Sequence, residues 1–131
     1  MKKQQALKFS QLPGHYAIIR QDSNSPVPAW ATKGDFISIT RTADELSIVC
    51  PTDRIPKEFA TGLPWVCLKL EGPFPFSQTG VLLSFIEPLS SNCIPIFAIS
   101  TYDTDYVLIP QEHISRALGL LLEAGHELLH G

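Results

Sequence analysis

Residues 100–105, Ser-Thr-Tyr-Asp-Thr-Asp, form a polar hexapeptide between two apolar runs of this 131-residue chain. Hydroxyl and carboxylate groups at this density can hold a small polar ligand. Ser, Thr and Asp are also favoured turn formers, so a plain hairpin turn is the alternative interpretation. The hexapeptide is therefore predicted to be either a turn or a turn that borders a binding site.

The hexapeptide suits the two charged groups of a free α-amino acid. Asp105, or alternatively Asp103, could accept hydrogen bonds from the ligand ammonium. The hydroxyls of Ser100 and Thr101 could serve either the ammonium or the carboxylate. Tyr102 could form one wall against the ligand side chain.

A helix predicted over residues 79–90 could supply the other half of such a site. Val81, Leu82, Phe85, Ile86 and Leu89 recur on one face of it. The backbone N–H groups and the dipole at its N-terminus would favour a ligand carboxylate. Gly80 would let the ligand approach the backbone closely, although a glycine there could equally serve close packing of helix on strand.

The remaining elements follow from the periodicity of apolar residues. A second amphipathic helix is predicted over 111–124, with Pro110 in its first turn and Gly125 as its stop. Six strands are predicted, over residues 16–20, 36–40, 46–50, 66–70, 96–100 and 106–109.

An internal repeat organises these elements. FISITRTADELSIVCP (36–51) aligns with IFAISTYDTDYVLIP (96–110) at an offset of sixty, and LPGHYAII (12–19) aligns with LPWVCLKL (63–70) at fifty-one. The second half has room for a full helix between its first two strands, whereas prolines interrupt the shorter first-half segment. We therefore predict two α+β units, 1–61 and 62–131, of which the first is abbreviated with a short helix or none.

The block SQTGVLLSFIEPLSSNCIPIFAISTYDTDYVLIP (77–110) is similar to the ACT repeats of aspartokinases and, more closely, of cytosolic arginine sensors. The first repeat resembles that of a small bacterial family of tandem ACT proteins of unassigned function. The resemblance implies an α+β fold with two tandem, ferredoxin-like βαββαβ units packed through antiparallel sheets. It also implies a homodimer, because ACT sheets commonly extend side by side.

The resemblance further implies regulatory binding of a free amino acid or similar metabolite at an ACT–ACT interface, without catalysis. In the arginine sensors, the positions matching Thr101, Tyr102 and Asp105 belong to the ligand site. Gln78 stands where the sensors carry an acidic residue, which argues against arginine as the ligand. The predicted ligand-binding residues are Gln78, Thr79, Gly80, Val81, Ser100, Thr101, Tyr102 and Asp105.

No catalytic, cofactor or metal site is predicted. HELLH (126–130) matches the H-E-x-x-H pattern of zinc proteases, but Gly125 would interrupt the required helix, and a frayed C-terminus is expected there. Weak metal binding by His126 and His130 stays open. G-x-S-x-G, phosphate-loop and Cys-x-x-Cys patterns are absent from the sequence.

The net charge of −3 offers no basic field for nucleic acid or an anionic membrane. No signal sequence is visible, and Cys50, Cys67 and Cys93 each adjoin apolar residues, which predicts buried thiols and a cytoplasmic protein. Besides an amino-acid sensor, two hypotheses stay open. One is a ligand-free ACT scaffold with an unknown protein partner, and the other is a detached regulatory subunit of an amino-acid biosynthetic enzyme.

Overall fold

The computed structural model describes residues 5–59, 62–75 and 77–131. Neither of the two α-helices, at ten residues each, has the length and apolar character needed to cross a membrane. Within the described residues, the elements are β1 (Lys8–Gln11), β2 (Tyr16–Gln21), β3 (Ser38–Arg41), β4 (Leu46–Pro51), β5 (Trp65–Leu70), α1 (Val81–Ser90), β6 (Phe97–Ser100), β7 (Asp105–Pro110), α2 (Ile114–Glu123) and β8 (Glu127–His130).

The first compact unit, Gly14–Trp65, is built on an antiparallel sheet with the strand order β3-β4-β2. In the centre of the sheet, Ile48 pairs with Ile39 on one side and with Ile19 on the other. Because residues directly opposite each other on neighbouring strands share a face, Ile19 and Ile48 join one buried cluster, against which Trp30 packs. Trp30 lies on the 3-10 helix Ala29–Thr32, and the helical segments among residues 14–59 and 62–65 are all short 3-10 turns, in agreement with the prediction of a short helix or none.

The second unit contains the α+β arrangement β5-α1-β6-β7-α2-β8, which is the predicted ferredoxin-like βαββαβ order. Its strands lie in the order β6-β7-β5-β1-β8. Both helices begin slightly later than predicted, and α2 follows the 3-10 turn Gln111–His113. One core cluster joins strands and helices, and its members include Phe9, Val66, Leu68, Val107, Ile109, Phe85, Leu89, Ala117 and Leu121.

The strands β1 and β8 are not among those predicted from the sequence. β1 lies in the sheet of the second unit, antiparallel to β5 and parallel to β8. Residues 5–13 therefore pack with the C-terminal half of the chain. The expectation of a frayed C-terminus is wrong, because residues 127–130 are hydrogen-bonded to β1. The boundary between residues 61 and 62 stays a prediction, and residue 61 lies outside the described residues.

The two α-helices end in the same hydrogen-bonding motif. After α2, the N–H groups of Gly125 and His126 donate to the carbonyls of Leu122 and Leu121, at 3.0 Å each, with Gly125 left-handed at φ 99°. This confirms the predicted helix stop. After α1, Cys93 occupies the corresponding left-handed position at φ 60°. Its exposure corrects the prediction that all three cysteines are buried.

Candidate functional site

The polar hexapeptide forms the end of a β-hairpin between β6 and β7. Ser100 is paired with Asp105 in the register of the two strands, and their side chains are joined by a hydrogen bond from the Ser100 hydroxyl. Across the turn, the N–H and the hydroxyl of Thr101 both donate to the Thr104 carbonyl, at 2.8 and 3.0 Å. The turn interpretation is therefore correct for the backbone, and any binding role is additional to it.

The hairpin turn is held against the loop that follows β5. The Thr104 side chain is buried, and its hydroxyl donates to the Leu70 carbonyl at 2.8 Å. The N–H of Phe74 donates to the Asp103 carbonyl at 2.9 Å. A Cβ atom added to Gly72 would lie 2.9 Å from that same carbonyl oxygen. The glycine therefore permits a backbone approach that any larger residue would disturb.

Six of the eight predicted site residues lie around one depression of about 230 Å³, which we call the hairpin depression. Phe74, Pro75 and Thr104 also line the depression but are not predicted from the sequence, and Asp103 is predicted only as an alternative to Asp105. Phe74 and Pro75 belong to the loop between β5 and α1, and its proline and aromatic residues were the only signal in the sequence. The lining residues are Phe74, Pro75, Gln78, Val81, Ser100, Thr101, Tyr102, Asp103, Thr104 and Asp105.

The other two predicted residues, Thr79 and Gly80, lie at the start of α1 outside this lining. Gly80 precedes the helix in the left-handed conformation, at φ 76°, which favours glycine. Among the described residues, nothing lies within 4 Å of a Cβ added there, so helix-on-strand packing does not explain this glycine. The Thr79 carbonyl accepts a hydrogen bond from the side chain of Gln5 at 3.2 Å.

The hairpin depression is acidic. Asp103 and Asp105 carry its carboxylates, and no lysine or arginine belongs to its described lining. Tyr102 is 79% exposed, so its ring stands at the rim. Carboxylate, hydroxyl and amide oxygens together make the depression suited to a group that donates hydrogen bonds, such as an ammonium.

The HELLH segment is not a zinc-protease helix, because its last four residues form β8. His126 is buried and contacts backbone groups through both ring nitrogens, at 3.0 Å each. Within residues 5–59, 62–75 and 77–131, no three His, Cys, Asp or Glu side chains gather to hold a metal ion. The geometry of this segment is that of a buried structural histidine beside a strand.

A second, larger depression of about 530 Å³ lies in the first unit. Trp30 and Phe59 line it with ring centroids 5.6 Å apart, and Asp22 contributes a carboxylate. Trp30 also packs against the core of its unit. None of the predicted ligand-binding residues belongs to this depression.

Comparison with known proteins gives consistent matches over both halves of the chain. A sequence profile of the ACT domain matches residues 61–123, and a profile of a distinct N-terminal domain matches residues 14–58. A crystal structure of a protein from Agobacterium tumefaciens is similar to this chain, with 47% identity, a TM-score of 0.89 and coverage of 97% of this chain and 95% of that one.

A protein of unknown function from Vibrio cholerae, described as a possible transport protein, has the same fold. It has 16% identity and a TM-score of 0.72, and the match covers 92% of this chain and 91% of that one. ACT domains are regulatory, ligand-binding modules. The ferredoxin-like unit, the ACT profile and the similar structure all agree. The chain therefore belongs to the family of small ACT-domain proteins.

Proposed function

We propose that this protein is a non-enzymatic sensor that binds a free amino acid in the hairpin depression. The observation that carries the proposal is the gathering of six predicted site residues around that one depression, at the start of α1. An ACT domain is regulatory and not catalytic, which supports a binding role over an enzymatic one. The ligand then acts as a signal and is not consumed.

The carboxylate of the amino acid would bind at the N-terminus of α1. The first intrahelical hydrogen bond runs from the Ser84 N–H to the Gly80 carbonyl at 3.0 Å. The N–H groups of the three preceding residues thus have no acceptor within the helix. They and the helix dipole favour an anion. The open space at Gly80 supports a close approach of the ligand to this backbone.

The ammonium of the amino acid would bind at Asp105, which already accepts a hydrogen bond from Ser100. A second carboxylate, that of Asp103, adds to the negative potential. The ligand side chain would contact Phe74 and Tyr102. A cavity of about 230 Å³ lies below the roughly 300–1,000 Å³ of drug-sized ligands and suits a small metabolite.

The proposal includes a cytoplasmic homodimer with the ligand at an ACT–ACT interface. Strand β6 is the outermost strand beside β7, and Ser100 lies at its end. An outer strand offers backbone groups that can pair with a second copy of the chain. The described cysteines are free thiols, which suits a reducing compartment. Light scattering with and without the ligand measures the oligomeric state directly, and a monomer in both conditions would contradict the dimer.

Thermal unfolding against each common amino acid at millimolar concentration tests the proposal. A ligand at one hundred times its Kd adds about 2.7 kcal/mol of stability, which raises the Tm by several degrees. Asp105→Asn keeps the size of the side chain and its acceptor for Ser100, but removes the charge that holds the ammonium. We expect it to weaken binding about 10- to 100-fold.

The matched control is Asp44→Asn, in the exposed turn of the β3–β4 hairpin, and it should leave the Tm shift unchanged. A shift that survives Asp105→Asn would place the ligand elsewhere. No shift with any amino acid would instead favour a ligand-free scaffold, whose turn groups satisfy one another as Thr101 and Thr104 do.

A further inference from the structure

Gln5 lies at the start of α1, far along the chain from every residue that was predicted to bind the ligand. Its side-chain Nε2 donates to the Thr79 carbonyl at 3.2 Å, and its Oε1 accepts from Gln78 Nε2 at 3.0 Å. Its backbone N–H lies 3.4 Å from the Ser84 hydroxyl. Gln5 therefore contacts a residue of the hairpin depression, Gln78, without lining the depression itself.

Gln5 is held in place by the buried contacts of Leu7, which follows it by two residues. The Leu7 N–H donates to His126 Nδ1 at 3.0 Å, so the ring must carry its proton on Nε2, which lies 3.0 Å from the Ser84 carbonyl. That carbonyl is available because Pro88, four residues later in α1, has no N–H to donate. The N-terminal segment is thereby held to α1 through His126.

The polarity of these contacts determines the orientation of two side-chain amides. A backbone carbonyl such as that of Thr79 can only accept, so Gln5 must present Nε2 to it and Oε1 to Gln78. Gln78 must in turn present Nε2 to Gln5. Gln78 lines the depression, and no hydrogen bond among the described residues uses its Oε1, so this oxygen can still accept one from a ligand.

We propose that Gln5 is a positioning residue that orients the Gln78 amide, so that the hairpin depression offers acceptors at Gln78, Asp103 and Asp105. The inference rests on the proposed function and narrows its ligand class. The ligand group beside Gln78 must donate hydrogen bonds, as an amide or an ammonium does. With the α-carboxylate at the N-terminus of α1, the site then favours L-glutamine over the nearly isosteric L-glutamate, because the side-chain carboxylate of L-glutamate would face the acceptors of Gln78, Asp103 and Asp105.

The first experiment needs no ligand. A double-mutant cycle of Gln5→Ala and Gln78→Ala, measured by denaturant unfolding of the full chain, should give a coupling of about 2- to 10-fold in the unfolding equilibrium constant. The control cycle replaces Gln5→Ala with Gln11→Ala, at the far end of β1, and should be additive. Additive effects of Gln5→Ala and Gln78→Ala would overturn the positioning role, whatever the protein binds.

The second experiment measures specificity by calorimetry with L-glutamine and L-glutamate as probes. We expect wild type to bind L-glutamine at least about tenfold more tightly, by the typical strength of a charge-assisted contact. Gln5→Leu frees the Gln78 amide to rotate and should reduce that ratio about threefold or more. Gln5→Glu still accepts from Gln78 and should retain it, a difference that loss of stability alone cannot produce.

The two experiments separate this inference from the proposed function. Coupling between Gln5 and Gln78 with no binding of any amino acid would support the positioning role and overturn the sensor. Binding of L-glutamate as tightly as L-glutamine would overturn the acceptor assignment while leaving the sensor intact. An affinity ratio that Gln5→Leu leaves unchanged would overturn the role of Gln5 in specificity.

Discussion

The β3–β4 hairpin and the β6–β7 hairpin have the same turn but different surroundings. Arg41 pairs with Leu46 in the first, and Ser100 pairs with Asp105 in the second, with four residues between the partners in each. In the first turn the Thr42 N–H donates to the Glu45 carbonyl at 2.9 Å, as the Thr101 N–H donates to Thr104. The shared chemistry is a threonine that closes a four-residue turn.

This equivalence corrects the repeat alignment by one residue. The paired turns align at an offset of fifty-nine, and not sixty, because Arg41 falls on Ser100. At fifty-nine, the core residue Ile48 also falls on the core residue Val107. A shift of one residue would exchange the two faces of the strand. Only the structure could reveal the difference, because residues 48–50 and 107–109 are unbroken apolar runs in which no alternation fixes the register.

The surroundings, and not the turn, distinguish the two hairpins. In the first, the turn is solvent-exposed, and Arg41 donates to the carbonyls of Ser23 and Ser25 in a neighbouring loop. In the second, the turn lies against residues 72–75 and borders the acidic depression next to α1. A threonine turn alone therefore carries no binding function, and an adjoining helix and loop are needed to build a site.

The largest effect should come from separating the second turn from its loop. Gly72→Ala places a Cβ 2.9 Å from the Asp103 carbonyl oxygen, so the backbone must shift. We expect a loss of about 1–3 kcal/mol in the free energy of unfolding. The control is Gly119→Ala within α2, where a Cβ meets nothing within 4 Å among the described residues. It should stabilise by about 0.5–1 kcal/mol, and an equal loss in both variants would contradict this account.

A smaller effect should follow removal of the hydroxyl that joins the second turn to β5. Thr104→Val keeps the shape of the buried side chain but removes the donor to the Leu70 carbonyl, at an expected cost of about 1–2 kcal/mol. Glu45 occupies the equivalent position in the first turn, and Glu45→Ala should change stability by no more than about 0.5 kcal/mol. Chemical denaturation measures both, and similar losses would remove the distinction between the hairpins.

The turns themselves should respond alike. Thr42→Ala removes a hydroxyl 3.1 Å from the Asp44 N–H, and Thr101→Ala removes one 3.0 Å from the Thr104 carbonyl. Each should cost about 0.5–1 kcal/mol, because both hydroxyls make turn contacts that water can partly replace. Urea midpoints compare the two variants. A loss confined to Thr101→Ala would mean that the second turn depends on its threonine for more than closing the hairpin.

Local patterns predicted most of the fold. Both hairpins and both helices follow from alternation and helical periodicity, which act over a few residues. The strands β1 and β8 have four residues each, and β1 joins partners such as Lys8 and Glu127 from opposite ends of the chain. No short window of sequence contains that pairing. Tertiary contacts, and not strand propensity, explain why these segments are extended.

The residues of the candidate site also fall into two groups, those that could be predicted from the sequence and those that could not. Its hairpin and helix residues could be predicted because each group is contiguous in sequence. Phe74 enters the depression through a loop whose path depends on the buried Thr104 contact. Gln5 lies beside α1 although Ser84 stands 79 residues further along the sequence. The pairing of β1 with the sheet brings it there. Contacts of that range need the assembled sheet.

At neutral pH, the ionisation of the two buried thiols, one in each unit, should have the smallest effect on the free energy of unfolding. Burial raises the pKa of Cys50 to about 11 and that of Cys67 to about 12, from an ordinary 9.0. As the pH rises, the thiols of the unfolded chain lose their protons before those of the folded chain do. The stability that the two protonated thiols contribute is therefore complete below pH 9 and is lost as the pH rises toward 11 and 12. Urea midpoints should therefore fall above pH 9, and Cys50→Ala and Cys67→Ala should each flatten that fall, while Cys93→Ala should not. If only Cys67→Ala flattens the fall of the urea midpoint, the core of the first unit admits water and the core of the second excludes it. The difference between the two hairpins would then extend to the sheets to which they belong.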